Sequence, residues 1–394
     1  MQTMNWNFWD VLRAPRLGFS AKKIWVGFVG LFLSLVVYSI FSYAALMTNG
    51  WSLQMVWQAY RFIPVPLAID FGVWGWILMI VGLILALFIK LLAFTAIGKI
   101  AYEQLRGDEF YEMKEGIKFA FKNWKGVILS PVGLALIVIV LLALGLIFGL
   151  IGRIPFFGPL VIGVMWIPLA MGALFVVYLG VVLIASLVIG PAVVATTKSD
   201  TFDTMFESFS VLNEQPWRLV LWNALLLVVS GIGGAVLWVF TKGAVRLAFT
   251  IIGILMGTQY PAVVNNGFWY LPPCPPPLEG VCAKYLPLLL ESQIFMSNGV
   301  TWAQHISAFL VGLSLYFIGM FVVAYFYASW ASGQVLIYTV LVKIKDERDL
   351  LERKEEEQIE EVVPPAAEPE PAKVESLDQP GDETSSQSSE EKKE

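Results

Sequence analysis

The sequence predicts an all-α polytopic membrane protein with six transmembrane helices. They form three pseudo-repeated hairpins joined by interfacial amphipathic elbow helices. Three observations lead there. Of 394 residues, 57% are hydrophobic and 14% charged, whereas a soluble domain carries about 25% charged residues. Mean hydropathy is +0.71. Apolar runs recur up to about residue 342, and charge collects in the tail: residues 343–394 hold 8 Lys and Arg against 18 Asp and Glu, residues 1–342 18 against 13. The acidic balance therefore describes the tail, and nothing suggests a nucleic-acid partner.

A helix needs about 20 mostly apolar residues to cross a bilayer core about 30 Å thick. The runs 24–47, 71–98, 126–151, 160–194, 219–240 and 303–342 meet this. The second, fourth and sixth exceed it, so they should tilt, kink or project beyond the membrane. Pro168 offers a break in the fourth, since proline removes a helix donor and clashes with the preceding turn. Residues 1–23 form an amphipathic lead. The first apolar run is too long for a signal h-region, so it is expected to remain as an anchor.

Lys and Arg resist translocation. Arg13, Arg16, Lys22 and Lys23 precede the first span, and Lys99, Arg106, Lys114, Lys118, Lys122 and Lys125 lie between the second and third. Arg61 and Arg153 are the Lys or Arg residues of the first two opposite loops, and the tail begins with Lys343, Lys345 and Arg348. The expected location is a bacterial cytoplasmic (inner) membrane with both termini cytoplasmic and loop 241–302 external. The domains read as lead 1–23, hairpin 24–98, elbow 99–125, hairpin 126–196, elbow 197–218, hairpin 219–342 and acidic, mostly disordered tail 343–394. The apolar stretch 244–264 reads as an external interfacial or re-entrant helix, because a seventh crossing would move the basic start of the tail outside.

Sliding the chain by 92 positions superimposes the second and fourth spans and their exits. Gly98 meets Gly190, Asp108 meets Asp200, Phe110 meets Phe202, Met113 meets Met205, and Arg61 meets Arg153. Polar and aromatic coincidences carry this repeat, because apolar matches between membrane helices are common. A fainter third copy sets Ala328-Ser329 on Ala185-Ser186. After the second span Phe110, Met113, Ile117, Phe121 and Trp124 recur at helical spacing, as Phe202, Met205, Phe209 and Leu212 do after the fourth. Such helices are expected to lie with the apolar stripe toward lipid.

The run Gly190-Pro191-Ala192-Val193-Val194-Ala195, then Phe206-Glu207-Ser208-Phe209 and Trp217-Arg218-Leu219, resembles the membrane domain of some bacterial glycerophosphodiester phosphodiesterases and related multi-pass membrane proteins. The resemblance covers roughly 180–225, with an echo at 90–130. It implies a multi-helix membrane module, often without an enzymatic assignment. No soluble segment here is long enough for the phosphodiesterase domain, so no catalytic residues carry over.

Chemistry is sparse. Cys274, Cys282 and His305 make three ligands where structural zinc usually takes four. No cofactor is expected. Cys274 and Cys282, separated by turn formers in the external loop, form a candidate disulfide. Ionisable groups are expected to be nearly absent from the centres of the spans, with Lys90 snorkelling near the inner end of the second. Gly158-Pro159 and Gly190-Pro191 are further candidate breaks. Gly145, Gly149, Gly231, Gly234 and Gly312 are expected to let helices approach closely. Residues 346–361 read as a charged extension of the sixth span. Expected partners are the lipid bilayer and, through the acidic tail, a membrane or cytoplasmic protein. The sequence thus favours a non-enzymatic scaffold or accessory subunit in envelope or lipid homeostasis. A transporter or permease is the alternative, and a lipid-processing enzyme the third reading.

Overall fold

A computed structural model describes residues 4–66, 69–257, 259–271 and 301–352. Among them the chain is helical, without strands. The short helices α1 (Phe8–Val11) and α2 (Ala14–Gly18) lead into α3 (Ala21–Thr48). Then come α4 (Leu53–Tyr60), α5 (Val73–Leu105), α6 (Met113–Lys122), α7 (Trp124–Ile151), α8 (Phe157–Val164) and α9 (Trp166–Thr197). After α10 (Thr201–Glu214) follow α11 (Pro216–Met256), α12 (Gln259–Phe268) and α13 (Trp302–Asp346). Six of these, α3, α5, α7, α9, α11 and α13, are long and apolar enough to cross a membrane. They pair as α3/α5, α7/α9 and α11/α13.

The second helices of the three hairpins, α5, α9 and α13, also pack on one another. Small residues permit this: a Cβ at Gly98 would lie 3.2 Å from Ala195 Cβ and 3.3 Å from Val335 Cγ2. Burial follows the same division. In α5 it is dense from Leu91 onward, in α9 from Leu179, and in α13 from Val322. The excess length of these helices thus builds a packed bundle at the end that holds the termini. Charges there are paired: Lys99 meets Glu103 at 2.5 Å and Lys345 meets Glu207 at 3.0 Å. Lys23 donates to Gln104 at 2.8 Å.

Each hairpin also joins its two helices at a comparable place. Ser130 and Ser186 hydrogen-bond at 3.2 Å between α7 and α9, and Ser230 and Ser329 at 2.9 Å between α11 and α13. Ser186 and Ser329 are the residues that the internal repeat superimposes. In the first hairpin Phe94 takes this place, and a Cβ at Gly30 would lie 2.3 Å from Ala93 Cβ.

The elbows follow one rule. Helix α6 packs on α5, α10 on α7 and α9, and α2, which precedes the first hairpin, on α13 of the third. At α6, a Cβ on Gly116 would lie 2.8 Å from Ile100 Cγ1; at α2, one on Gly18 would lie 2.4 Å from Ser329 Cα. Met113 and Ile117 pack against the core of the first hairpin and Leu212 against the bundle. Part of the stripe expected to face lipid therefore faces protein, while Phe110, Phe121, Trp124 and Phe202 stay exposed. Asp108 and Asp200 serve the local backbone. Asp108 accepts from the Phe110 amide at 3.0 Å, and Asp200 caps α10 by accepting from Asp203 at 2.9 Å.

The fourth span breaks near the expected Pro168: the break is at Met165, between α8 and α9, with Pro168 in the first turn of α9, where a missing donor costs nothing. Three other expectations need correction. Gly190-Pro191 does not break α9, which runs on to Thr197; a Cβ at Gly190 would meet Thr204 Cγ2 of α10 at 3.6 Å, an ordinary contact. The stretch 244–264 is no separate helix. Its first half continues α11, Gly257 turns at φ +54°, and α12 returns along α13. The charged extension to 361 stops at Asp346, where Glu347 takes a left-handed φ of 56°. Leu350 and Leu351 then fold back into the core, because an apolar pair gains more there than in a solvated helix. Cys274, Cys282 and the acidic tail beyond Glu352 lie outside the described residues.

Candidate functional site: an intramembrane vault

Away from the termini the hairpins separate. No residue of α7 after Leu134, or of α9 before Leu179, is buried. Between α3/α5 and α11/α13 lies a cavity of about 1130 Å³. Leu31, Leu83, Leu87, Trp238 and Phe326 give it mainly apolar walls, and exposed Leu83, Leu87 and Val323 mark its open side.

Gly231 and Gly319 line this vault with no atom within 4 Å of a Cβ built on either. Their missing side chains leave the space. Gly231 was expected to pack helices and does not; neither do Gly145 and Gly149, which also meet nothing among the described residues. A Cβ at Gly234 would lie 3.6 Å from Phe326 Cβ. Gly312 makes the close approach: a Cβ there would lie 2.6 Å from Tyr270 Cβ and 2.7 Å from the Gly267 carbonyl. That contact holds the returning α12 on α13 and delivers Trp269, Tyr270 and Leu271 to the vault's far end.

A strap closes that end. Tyr38 donates to the Pro64 carbonyl at 2.8 Å and Ser39 to the Phe62 carbonyl at 2.9 Å, while the Tyr43 hydroxyl donates to the Arg61 carbonyl. Three hydroxyls of α3 thus draw residues 61–64 down beside the helix, with Arg61 at φ +55°. Such backbone in a nonglycine residue costs about 1–3 kcal/mol and persists where surroundings enforce it.

Arg61 is 6% exposed. Its Nη1 donates to the Leu271 carbonyl at 3.1 Å, its guanidinium stacks 4.6 Å from the Trp269 ring, and its Nε has no partner. Among the described residues no carboxylate pairs with it. Ile63, Leu271 and Tyr316 stand between its surroundings and the vault. The buried hydroxyl of Tyr316 has no hydrogen-bond partner either.

Two lysines complete the wall, Lys90 from α5 and Lys242 from α11. Lys90 lies about 26 Å along α5 from Val73 at about 1.5 Å per residue, well inside the helix. A crossing that starts at Val73 would put Lys90 near the inner boundary of a core about 30 Å thick, within snorkelling reach. No described lining residue is acidic. Intramembrane cations are costly and face cavities or partners when they persist.

Sequence reasoning had Arg61 and Lys90 only as loop and snorkelling charges. The usable signal was Arg61 itself, a cation in a loop where positive charge is disfavoured. Among the described residues no cluster of three metal-ligating side chains occurs.

The six apolar helices define a multi-pass membrane protein. No protein-family model, curated protein or solved structure matches the chain.

Proposed function

We propose that this chain is a non-enzymatic scaffold or accessory subunit in envelope or lipid homeostasis, resident in a bacterial cytoplasmic membrane with its termini in the cytoplasm. The vault is where it engages lipid. One observation carries this: a mainly apolar cavity, open on one side, stands between the hairpins and is kept empty of protein by Gly231 and Gly319. Its volume is at or above the roughly 300–1,000 Å³ of small-molecule sites, and apolar walls suit acyl chains. The basic elbows and lead support the orientation. The resemblance of residues 180–225 to a membrane module that often carries no enzymatic assignment points the same way.

The test is native mass spectrometry of protein extracted in mild detergent. The natural chain is expected to carry lipid in a fixed ratio. A Gly231→Leu/Gly319→Leu variant, whose new Cβ atoms meet nothing within 4 Å, should fold and lose it. Equal lipid on both would remove the vault from the mechanism. The accessory role is tested separately by copurification with a chain ending at Glu352, which keeps Leu350 and Leu351. A partner lost with the tail identifies the tail as its dock.

Transport is the second reading, favoured by Lys90 and Lys242 in the cavity wall, since intramembrane ionisable residues mark substrate paths. Substrate-dependent flux through reconstituted natural protein, abolished by filling the vault, would establish it.

A further inference from the structure

We infer that the vault selects phospholipids whose headgroup carries net negative charge, and that Lys90 and Lys242 supply the selectivity. The inference rests on the lipid reading above and names its ligand class.

Charge complementarity is the first ground. Lys90 and Lys242 come from two different hairpins, and both line one cavity. The described lining holds no Asp or Glu to neutralise them. Arg61 adds a third positive charge just behind the far wall, itself without a carboxylate among the described residues. A cavity enclosed by low-dielectric walls concentrates such a field, so the like-signed charges raise its affinity for an anion.

The make-up of the wall is the second ground. Most of the lining is hydrocarbon, and the two lysines interrupt it. A phosphodiester offers unesterified oxygens to a lysine. The acyl chains then lie along the apolar remainder, against side chains such as Leu31 and Trp238. A water-soluble anion would leave that apolar wall uncovered, and a zwitterionic lipid would bring its own cation toward the lysines. An anionic phospholipid meets both halves of the site.

The experiment is competitive native mass spectrometry of the full chain in mild detergent, with phosphatidylglycerol and phosphatidylcholine of identical acyl chains. The natural protein is expected to prefer phosphatidylglycerol by about tenfold or more. A Lys90→Gln/Lys242→Gln variant should bind the two lipids equally while still binding lipid, with its folding checked by thermal unfolding. Equal binding by the natural chain overturns the charge selectivity and leaves the lipid vault standing. An undiminished preference in the double glutamine variant overturns the assignment to these lysines, and one that survives Gly231→Leu/Gly319→Leu moves it out of the vault. No bound lipid of either kind removes the underlying reading as well.

Discussion

The end of the bundle that holds the termini and the opposite end are made from the same three hairpins, yet they behave as different materials. At the first, α5, α9 and α13 touch through Gly98, Ala195 and Val335, elbows cover the outside and the charges are paired. At the second, α7 and the start of α9 stand apart, and the cavity between the other hairpins carries cations that pair with no carboxylate among the described residues. Small residues do opposite work in the two places. Where a facing helix fills the gap they bring backbones together; where none does, they leave room for a ligand. Stability is thereby concentrated in one half, and the other is free to hold a site.

The strongest way to break this comparison is to enlarge one glycine in each half. Gly18→Val drives a side chain into Ser329 Cα, 2.4 Å from the built Cβ, and backbone on both sides cannot give way. We expect a loss of about 3 kcal/mol or more, the upper range for overpacking, read as a large drop in detergent melting temperature. Gly145→Leu meets nothing within 4 Å and should gain up to about 1 kcal/mol from helix propensity. Comparable damage at both positions would mean that the far half is packed against something as tightly as the near half.

The next effect tests the fold-back after α13. Leu350 and Leu351 are buried, and the Tyr102 hydroxyl donates to the Leu350 carbonyl at 2.5 Å. Leu350→Ala and Leu351→Ala should each cost about 2 kcal/mol, the low end for a leucine truncation, because these leucines sit at the rim of the core. Limited proteolysis should cut faster at 347–352 in the double variant. Unchanged cleavage would detach this segment from the bundle.

The sequence made the near half legible and the far half opaque, for physical reasons. Repetition and periodicity are one-dimensional signals, and Gly98, Gly190, Asp108 and Asp200 repeat because each hairpin solves the same exit problem. Helix count and elbow positions follow from them. The vault depends on which helices fail to meet, and no local pattern encodes a missing contact: Gly145, Gly149 and Gly231 look the same in sequence as Gly312. Arg61 shows the limit most directly. It superimposes on Arg153, but three hydroxyls of α3 bury the first, and the second is exposed. Gly257 is a weaker case, since a lone glycine in an apolar run signals a turn only when its φ is known.

Serine pairing offers a smaller, sharper test. Ser230→Ala removes the partner of Ser329 across α11 and α13 and should cost about 1 kcal/mol, the net worth of one hydrogen bond. Ser130→Ala should cost about the same at the matching place between α7 and α9. Equal losses, measured by chemical denaturation in detergent, would support treating the two hairpins as equivalent units. A loss at only one would show that they have diverged.

The smallest expected effect distinguishes the halves by pH. Tyr111 lies between α5 and α6, packed against the first hairpin's core. Burial first, then the nearby carboxylates of Glu103, Glu115 and Asp108, push its phenol up to about 12. An unfolded tyrosine titrates near 10. The folded chain thus keeps a proton that the unfolded chain releases, so this contribution is complete below pH about 10 and declines as pH rises from about 10 toward 12. Tyr111→Phe should flatten that decline slightly and leave lipid binding in the vault unchanged, because the residue belongs to the packed end. Absorbance titration near 295 nm and melting curves across the same pH interval measure it. A Tyr111 that ionises at the ordinary phenol value would place it in free solvent and loosen the elbow from the bundle.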